Sequence, residues 1–381
     1  MRKKRWGSAA HRPSEAGNTR QKGAEDNLDI SVVGAGGAIG RGIVALLVAD
    51  RVLKPTERLQ IIGRGGGASE RALYGLRSDL TDAYVETAPQ IDIGLGPKDL
   101  VGDVIIMTAG VTPSARAGGE MSRDDVASAN LVVFESYAQA LAKHGQGQEV
   151  VIVVTNPVEL GVAVFAEHIG ARRVIGIGAY SDSLRFRREI ASDLGVPRQL
   201  VSGYVGGEHG EHLVPLWSSV RVFGLEPMEV RDALARLRPT GLRSFRAQVE
   251  GARDGIKHLL TGDTQAAYEA LEAMPADVRV RLRPELTHLS GSKTVMATAN
   301  VTVDMVRQIV EGREMSVAGQ VALDDAHAAY GLRGVLGLPL IVSNQGVVRV
   351  QSPPLWADEE EALRLAAQSI RAKIVHWRAL A

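Results

Sequence analysis

The sequence contains no cysteine, which excludes a disulfide framework, a thiolate metal site and a catalytic thiol. Neither sign of charge is in excess, because 44 Lys and Arg residues balance 44 Asp and Glu residues, so no overall field attracts nucleic acid or a membrane surface. No apolar run approaches the roughly 18 residues that a bilayer-spanning helix needs. These absences predict a soluble, cytoplasmic protein whose partners bind at local sites.

The length and composition are those of a large globular protein. The 381 residues are 45% hydrophobic and 23% charged. Because single cores stop growing at roughly 250 to 300 residues, we expect two domains. Residues 1–28 open with Arg2-Lys3-Lys4-Arg5 and lack the apolar segment of a secretory signal. We predict a disordered basic tail there; a nucleic-acid contact and a transit peptide are the alternatives, and Glu15, Glu25 and Asp26 oppose the second.

A glycine-rich turn follows the first predicted strand, Asp29 to Val33. Gly34, Gly37 and Gly40 lie between that strand and a helical pattern that runs through Leu47. In this context glycines permit a tight turn, a close approach of the backbone to a pyrophosphate, and close packing of helix on strand. The helix N-terminus then faces the phosphates. The arrangement predicts a dinucleotide site.

The second predicted strand, Leu59 to Ile62, ends in a run of glycines around Arg64. An NAD-binding unit normally carries Asp or Glu here for the ribose 2′-hydroxyl, and we find none at that point. Arg64, with Ser69 and Arg71 further along, would instead supply charge and donors to a 2′-phosphate. We therefore predict NADP in preference to NAD. The alternative is a solvated loop in which Arg64 lies over the adenine and NAD is bound.

Further apolar runs predict strands whose ends carry polar residues. One begins at Val104, and another, Glu149 to Thr155, is almost wholly apolar, as expected for a parallel strand buried on both faces. Between them, the amphipathic stretch Asn130 to Lys143 predicts a helix. Asn156 follows the second strand at the carboxyl end of the sheet, where ligands bind in open α/β folds. Its amide is a candidate donor to a substrate oxygen; a simple Asn-Pro turn is the alternative.

His209, in the stretch Gly206 to His212, is the main candidate for acid-base chemistry. The glycines around it let other groups approach the imidazole, whose unperturbed pKa of about 6.5 allows proton exchange near neutral pH. Asp182 and Arg185 are close enough in sequence to share one helix face. That face offers a carboxylate to the imidazole and a guanidinium to a substrate acid. A structural histidine beside a solvated ion pair is the alternative.

The order of these features, from about Asp29 to Ile374, resembles that of the lactate/malate dehydrogenase family. The resemblance implies an α/β fold: a Rossmann-type doubly wound parallel sheet in residues 29–157, then an α+β substrate domain in residues 158–381. It implies a homodimer or homotetramer and a site without metal. The implied reaction interconverts malate and oxaloacetate, a step of the tricarboxylic acid cycle, and lactate or another 2-hydroxy acid is the next alternative. A non-catalytic dinucleotide sensor is the alternative from another class.

The resemblance also implies a role for each site residue. His209 takes the hydroxyl proton, Asp182 stabilises the imidazolium that forms, and Arg185 holds the substrate carboxylate. Arg123 and Asn156 contact the reacting oxygen, which Arg123 polarises. The implied cofactor-binding residues, for NADP or NAD, are Gly34, Gly37, Gly40, Arg64, Asn130 and Thr155.

The sequence departs from the family pattern in two places. The loop Val111 to Met121 is slightly longer than usual around Arg116, the candidate for a second substrate carboxylate; a solvent-exposed arginine is the alternative. An insertion lies between about 261 and 290, in which Tyr268 to Met274 is predicted to be a helix. The alternating pattern of Val278 to Leu282 predicts a strand. The insertion either covers the active site or enlarges a subunit contact.

Overall fold

The computed structural model describes residues 28–112, 121–238, 241–292, 294–324 and 328–380. The predicted tail lies outside the described residues apart from Leu28, and so does Arg116. Within the described ranges, no helix has both the length and the apolar character needed to cross a membrane.

Strands and helices alternate through the first half of the chain. The strands are β1 (Asp29–Val33), β2 (Arg58–Ile62), β3 (Gln90–Gly94), β4 (Val104–Met107), β5 (Val150–Val153) and β6 (Val174–Gly176). The helices are α1 (Ala38–Ala49), α2 (Gly67–Ala83), α3 (Arg123–His144), α4 (Val158–Ile169) and α5 (Gly178–Leu194).

These strands form a parallel sheet in the order β3, β2, β1, β4, β5, β6. The order changes direction between β1 and β4, and ligands bind in the crevice that such a change opens at the carboxyl ends of the strands. Every residue of β4 and β5 is buried, because helices cover both faces of the sheet. The predicted Rossmann-type doubly wound sheet is therefore confirmed.

The second half of the chain extends the same sheet with antiparallel strands. These are β7 (Val201–Gly207), β8 (Leu213–Val222), β9 (Met315–Leu323), β10 (Gly334–Ser343) and β11 (Gly346–Val350). The helices are α6 (Pro227–Leu237), α7 (Phe245–Gly262), α8 (Thr264–Glu272), α9 (Ala276–Leu289), α10 (Val295–Val310) and α11 (Ala357–Leu380). Gln320 of β9 pairs with Gly176 of β6, and the order continues β9, β10, β7, β8, with β11 beside β10. The division of the chain after residue 157 stays a prediction.

The strand predicted at Val278 to Leu282 is wrong, because these residues lie in α9. The pattern suggested alternate buried and solvent-facing side chains, yet Arg279 is also buried, at 4% exposure. Its guanidinium donates to Glu189 at 2.7 Å and to Asp193 at 2.6 Å, both on α5. An arginine that finds ion-pair partners in the interior can occupy a buried position, so polarity did not mark the exposed face. The helix predicted at Tyr268 to Met274 is confirmed in part, because α8 runs from Thr264 to Glu272.

Helix α3 begins at Arg123, earlier than the predicted start at Asn130. Ser122 and Asp125 form a capping box, in which the Ser122 Oγ accepts the Asp125 N–H at 3.1 Å. The Asp125 carboxylate accepts the Ser122 N–H at 3.1 Å in return. These bonds satisfy N–H groups that a helix start leaves open, so the helix extends to that point. Arg123 is therefore on the first turn of a helix.

Candidate active site

His209 lies in the turn between β7 and β8. Gly207, at the end of β7, has a φ of +81°, and a Cβ atom there would lie 2.8 Å from the Val214 Cγ2. Only glycine accepts both the backbone conformation and the close approach. The tight turn this permits leaves His209 against α5, the helix that follows β6.

Asp182 connects His209 to Arg185. Its Oδ2 lies 2.8 Å from the Nδ1 of His209, and its Oδ1 accepts a hydrogen bond of 2.6 Å from the Arg185 Nη1. The Asp182 side chain is 4% exposed, whereas that of His209 is 26% exposed. The imidazole can therefore meet a ligand while the carboxylate behind it cannot. Arg185 uses one of its five N–H donors on Asp182, so others are left for a substrate carboxylate.

The charges in this group favour an ionised pair. Burial by itself would raise the pKa of Asp182, but His209 and Arg185 outweigh it and the pKa is lowered. Burial would lower the pKa of His209, but the charge and hydrogen bond of Asp182, with the charge of Glu159, raise it. The imidazole therefore keeps its proton to a higher pH than a free histidine. A proton held in this way can be given to a carbonyl oxygen.

Glu159 is a buried acid beside the imidazole that the sequence analysis missed. It lies on the first turn of α4, is 4% exposed, and its Oε1 accepts the backbone N–H of His209 at 2.7 Å. Burial raises the pKa of Glu159 to about 7, against the opposing effect of the His209 hydrogen bond. This carboxyl group therefore changes charge near neutral pH while holding the backbone of the turn.

Gly178, the first residue of α5, leaves the space that the imidazole occupies. A Cβ atom on Gly178 would lie 2.6 Å from both the Cβ and the Cγ of His209. Such a distance is far below van der Waals contact, so any larger residue would displace the ring. The sequence alone does not indicate this glycine, because nothing local links it to a histidine in another element.

The predicted insertion lies against the helix that carries Asp182 and Arg185. Helix α9 packs on α5, and its Arg281 is one of the charges that lower the pKa of Asp182. Arg281 donates to Glu285 at 3.2 Å, and Arg253 and Lys257 of α7 pair with the same carboxylate. The insertion thus adds positive charge behind the candidate site.

The glycine-rich turn after β1 has the shape that a pyrophosphate needs. Gly34 has a φ of +85°, and a Cβ atom there would lie 2.6 Å from the Ala109 N. A Cβ atom on Gly40 would lie 2.7 Å from the Ala35 Cα, so this glycine lets α1 pack on the turn. Gly37 is the N-cap of α1 and makes no side-chain cap, so the first N–H groups of the helix are not capped by it. The turn leaves room for phosphate oxygens at a helix N-terminus.

Arg64 and its neighbours form the loop after β2. Arg64 is exposed, and its backbone N–H donates to the Ser69 Oγ at 3.1 Å. The carboxylate of Glu70 accepts the Gly66 N–H at 2.6 Å. The loop therefore does contain an acidic group, which the sequence prediction of NADP left out. Because Glu70 reaches back from the first turn of α2, spacing from the strand did not indicate it.

Asn130 and Thr155 are buried and bonded to backbone atoms. The Asn130 Oδ1 accepts the Val111 N–H at 2.6 Å, and its Nδ2 donates to the carbonyls of Val111, at 3.0 Å, and Asn156, at 2.7 Å. The Thr155 Oγ1 donates to Ala109 O at 3.0 Å. Asn130 is 0% exposed and its amide groups bond to the backbone, so its role beside a cofactor stays a prediction. Asn156 is exposed at the carboxyl end of β5, as predicted.

Arg123 points to the turn of His209 through an ion pair. Its Nη1 lies 3.4 Å from the Glu211 Oε2, and its side chain is 74% exposed. Lys373 of α11 donates to the same Glu211 oxygen at 3.0 Å and to Glu208 at 2.8 Å. Glu208, Glu211 and His212 each place one possible metal-ligand atom within 4.8 Å of the others. The ammonium group of Lys373 donates to both carboxylates of this cluster.

Comparison with known proteins agrees with this geometry. Residues 28–176 match the family described as lactate/malate dehydrogenase, NAD binding domain. The chain is 28% identical to the malate dehydrogenase of Halobacterium salinarum, over 90% of this chain and 97% of that protein. It is 27% identical to the L-2-hydroxycarboxylate dehydrogenase (NAD(P)(+)) of Methanocaldococcus jannaschii, with the same two coverages. Residues 28–176 belong to the lactate/malate dehydrogenase family.

Solved structures give the same fold for this dehydrogenase. It superposes on the lactate dehydrogenase of Cryptosporidium parvum with a TM-score of 0.71 and 21% identity, covering 93% of this chain and 99% of that one. For the malate dehydrogenase of the same organism, the TM-score is 0.69 at 22% identity, covering 93% and 100%. Membership of the family makes the protein an NAD(P)-dependent 2-hydroxy acid dehydrogenase.

Proposed function

We propose that this dehydrogenase interconverts malate and oxaloacetate, which would give it a place in the tricarboxylic acid cycle. The observation that carries the proposal is the chain of hydrogen bonds from His209 through Asp182 to Arg185. It combines a proton donor whose pKa is raised by Asp182 with a guanidinium for a substrate carboxylate. The name of the Halobacterium salinarum relative supports malate as the substrate.

The proposed chemistry moves one proton and one hydride. In malate oxidation the Nε2 of His209 would take the hydroxyl proton. A nicotinamide cofactor, held by the glycine-rich turn after β1, would supply the acceptor for the hydride on the same carbon. The carbon–oxygen bond becomes a carbonyl, and the imidazolium is stabilised by the Asp182 carboxylate 2.8 Å from its Nδ1. The reverse sequence reduces oxaloacetate.

Charged and polar groups would orient the substrate. Arg185 would meet its carboxylate with a planar pair of N–H groups, and the exposed amide of Asn156 would contact the reacting oxygen. Arg123 would leave Glu211 and polarise that oxygen. Arg116, proposed to bind the second carboxylate of malate, lies outside the described residues.

The glycine-rich turn would hold the cofactor. At Gly34 and Gly40 two backbone segments approach so closely that any Cβ atom would collide with backbone atoms. The N-terminus of α1 faces this turn. We propose that NADP is preferred to NAD, which Arg64 and Arg71 support because both are exposed cations near the end of β2. Glu70 opposes a 2′-phosphate in the same loop, so we expect a modest preference.

A second candidate function is the reduction of other 2-oxo acids. The relative from Methanocaldococcus jannaschii, which carries the broader name of L-2-hydroxycarboxylate dehydrogenase, supports it.

A homodimer or homotetramer is also proposed, and the exposed apolar side chains of Val132 on α3 and Val375 on α11 support an assembly. Light scattering of the purified protein measures its mass.

Initial rates with oxaloacetate and pyruvate, each with NADPH and NADH, test the proposal. We expect oxaloacetate and NADPH to give the highest kcat/KM. Faster reduction of pyruvate would contradict the role of Arg116, and a strong preference for NADH would contradict that of Arg64. A His209→Asn variant should lose about 10²-fold or more in turnover, because it lacks the proton donor, while nucleotide fluorescence titration shows unchanged cofactor binding.

A further inference from the structure

Helix α11 forms hydrogen bonds with the turn of His209 and with the first turn of α3. Lys373 donates to Glu208 at 2.8 Å and to Glu211 at 3.0 Å in the turn of His209. The Nε1 of Trp377 donates to Asp124 at 2.9 Å, and Asp124 follows Arg123 on the first turn of α3. The same helix therefore contacts the element that carries the proton donor and the element that carries the carbonyl-polarising arginine.

Two cations share the carboxylate of Glu211. Lys373 lies at 3.0 Å and its side chain is 26% exposed, whereas Arg123 lies at 3.4 Å and its side chain is 74% exposed. Glu208, which is 8% exposed, holds the other side of the Lys373 ammonium group. The hydrogen bond from Lys373 is also the largest influence that lowers the pKa of Glu211, so this carboxylate is ionised at neutral pH. The contact of Glu211 with Lys373 is thus shorter and less exposed than its contact with Arg123.

We propose that Glu211 is a positioning residue that keeps Arg123 beside the turn of His209. Lys373 weakens the ion pair between Glu211 and Arg123. The inference rests on the proposed role of Arg123. An anionic substrate must take Arg123 from Glu211, so a strong pair would oppose substrate binding. Lys373 competes with Arg123 for the Glu211 carboxylate, and an exposed pair that shares its anion is weak. Arg123 then lies near the turn of His209 and can still leave Glu211 for the substrate.

A double-mutant cycle on Lys373 and Glu211 tests the inference, with KM and kcat for oxaloacetate measured at low ionic strength. Lys373→Met should raise KM about twofold to fivefold with little change in kcat, because Glu211 then holds Arg123 more strongly. Glu211→Gln should lower KM, since Arg123 has no anion to leave, but should also lower kcat, since Arg123 is no longer kept beside the turn of His209. In the Glu211→Gln background, Lys373→Met should have no further effect on KM.

The cycle separates this role from simple attraction of the substrate by a cation. If Lys373 merely attracted the anion, Lys373→Met would raise KM equally in both backgrounds, and that outcome would overturn the inference. An unchanged KM in both single variants would overturn it as well. Arg371→Met is the matched control, because it removes an exposed cation from the same helix and should leave KM as it is. Lys373→Arg should restore the native KM.

Two further measurements complete the test. Added sodium chloride screens exposed charges, so the effect of Lys373→Met on KM should fall as salt rises, and an effect that persists in molar salt contradicts the proposal. Thermal denaturation of each variant detects any loosening of α11. An inactive wild-type protein would instead refute the proposed function, whereas failure of the cycle leaves wild-type activity intact.

Discussion

Replacing Asp182 by asparagine keeps the shape of the side chain but removes the charge that lies 2.8 Å from the Nδ1 of His209. The same change takes away the anion that Arg185 contacts at 2.6 Å. Removing one partner of a buried ion pair is destabilising by about 3 to 5 kcal/mol, because the remaining charge is left uncompensated. If Asp182 stabilises the transition state by about 3 kcal/mol, its replacement lowers kcat/KM by about 10²-fold.

The pKa of His209 determines how the rate of reduction changes with pH. Asp182 raises the pKa of His209, and reduction of a 2-oxo acid needs the protonated imidazole. In the wild-type protein, reduction should therefore decline as pH rises through this raised pKa. Without the carboxylate the pKa falls, so the decline should begin at a lower pH in Asp182→Asn. The deficit of the variant should consequently be smaller in acid than in alkali.

Stopped-flow or steady-state rates of oxaloacetate reduction between pH 5 and 9 measure both effects. The control is Asp193→Asn, which makes the same chemical change on α5 but at an acid that pairs with Arg279 at 2.6 Å. It should reduce stability and leave the pH profile in place. A near-native rate in Asp182→Asn, or an unmoved pH limb, would falsify the role given to this carboxylate.

Three further changes have expected outcomes. The pKa of Glu159 is raised from its usual value to about 7, so its ionisation lowers stability as pH rises through that range; Glu159→Gln should therefore raise the free energy of unfolding in urea by about 3 kcal/mol at pH 8 and by much less at pH 5. Gly178→Ala would place a methyl group against His209 and should lower kcat by about 10²-fold, measured beside an unchanged affinity for the nucleotide. Arg279→Met should lower the free energy of unfolding by about 2 kcal/mol in a denaturant titration, because Glu189 and Asp193 lose their most buried cation while Arg283 still pairs with Glu189 at 3.0 Å; an unchanged free energy would contradict that assignment.

Local patterns predicted the parts of this protein that depend on local physics. Gly34 and Gly40 could be assigned from the strand before them and the helix after them, because a tight turn between these elements requires glycine. The alternating pattern at Val278 to Leu282 misled, since Arg279 finds its partners on another helix and is buried with them. A pattern of polarity indicates exposure only where charged groups lack such partners.

The sequence by itself determined the doubly wound sheet, the glycine-rich turn and the identity of His209, Asp182 and Arg185 as a group, because the order of these motifs along the chain resembles that of the lactate/malate dehydrogenase family. Only the tertiary structure decided what surrounds the imidazole: the buried acid of Glu159, the space left by Gly178, and Glu211 holding Arg123. These residues lie on α4, α5, the turn after β7, and α3. Their contacts form only when the chain folds, since charge and shape complementarity between distant segments leave no periodic trace in either one.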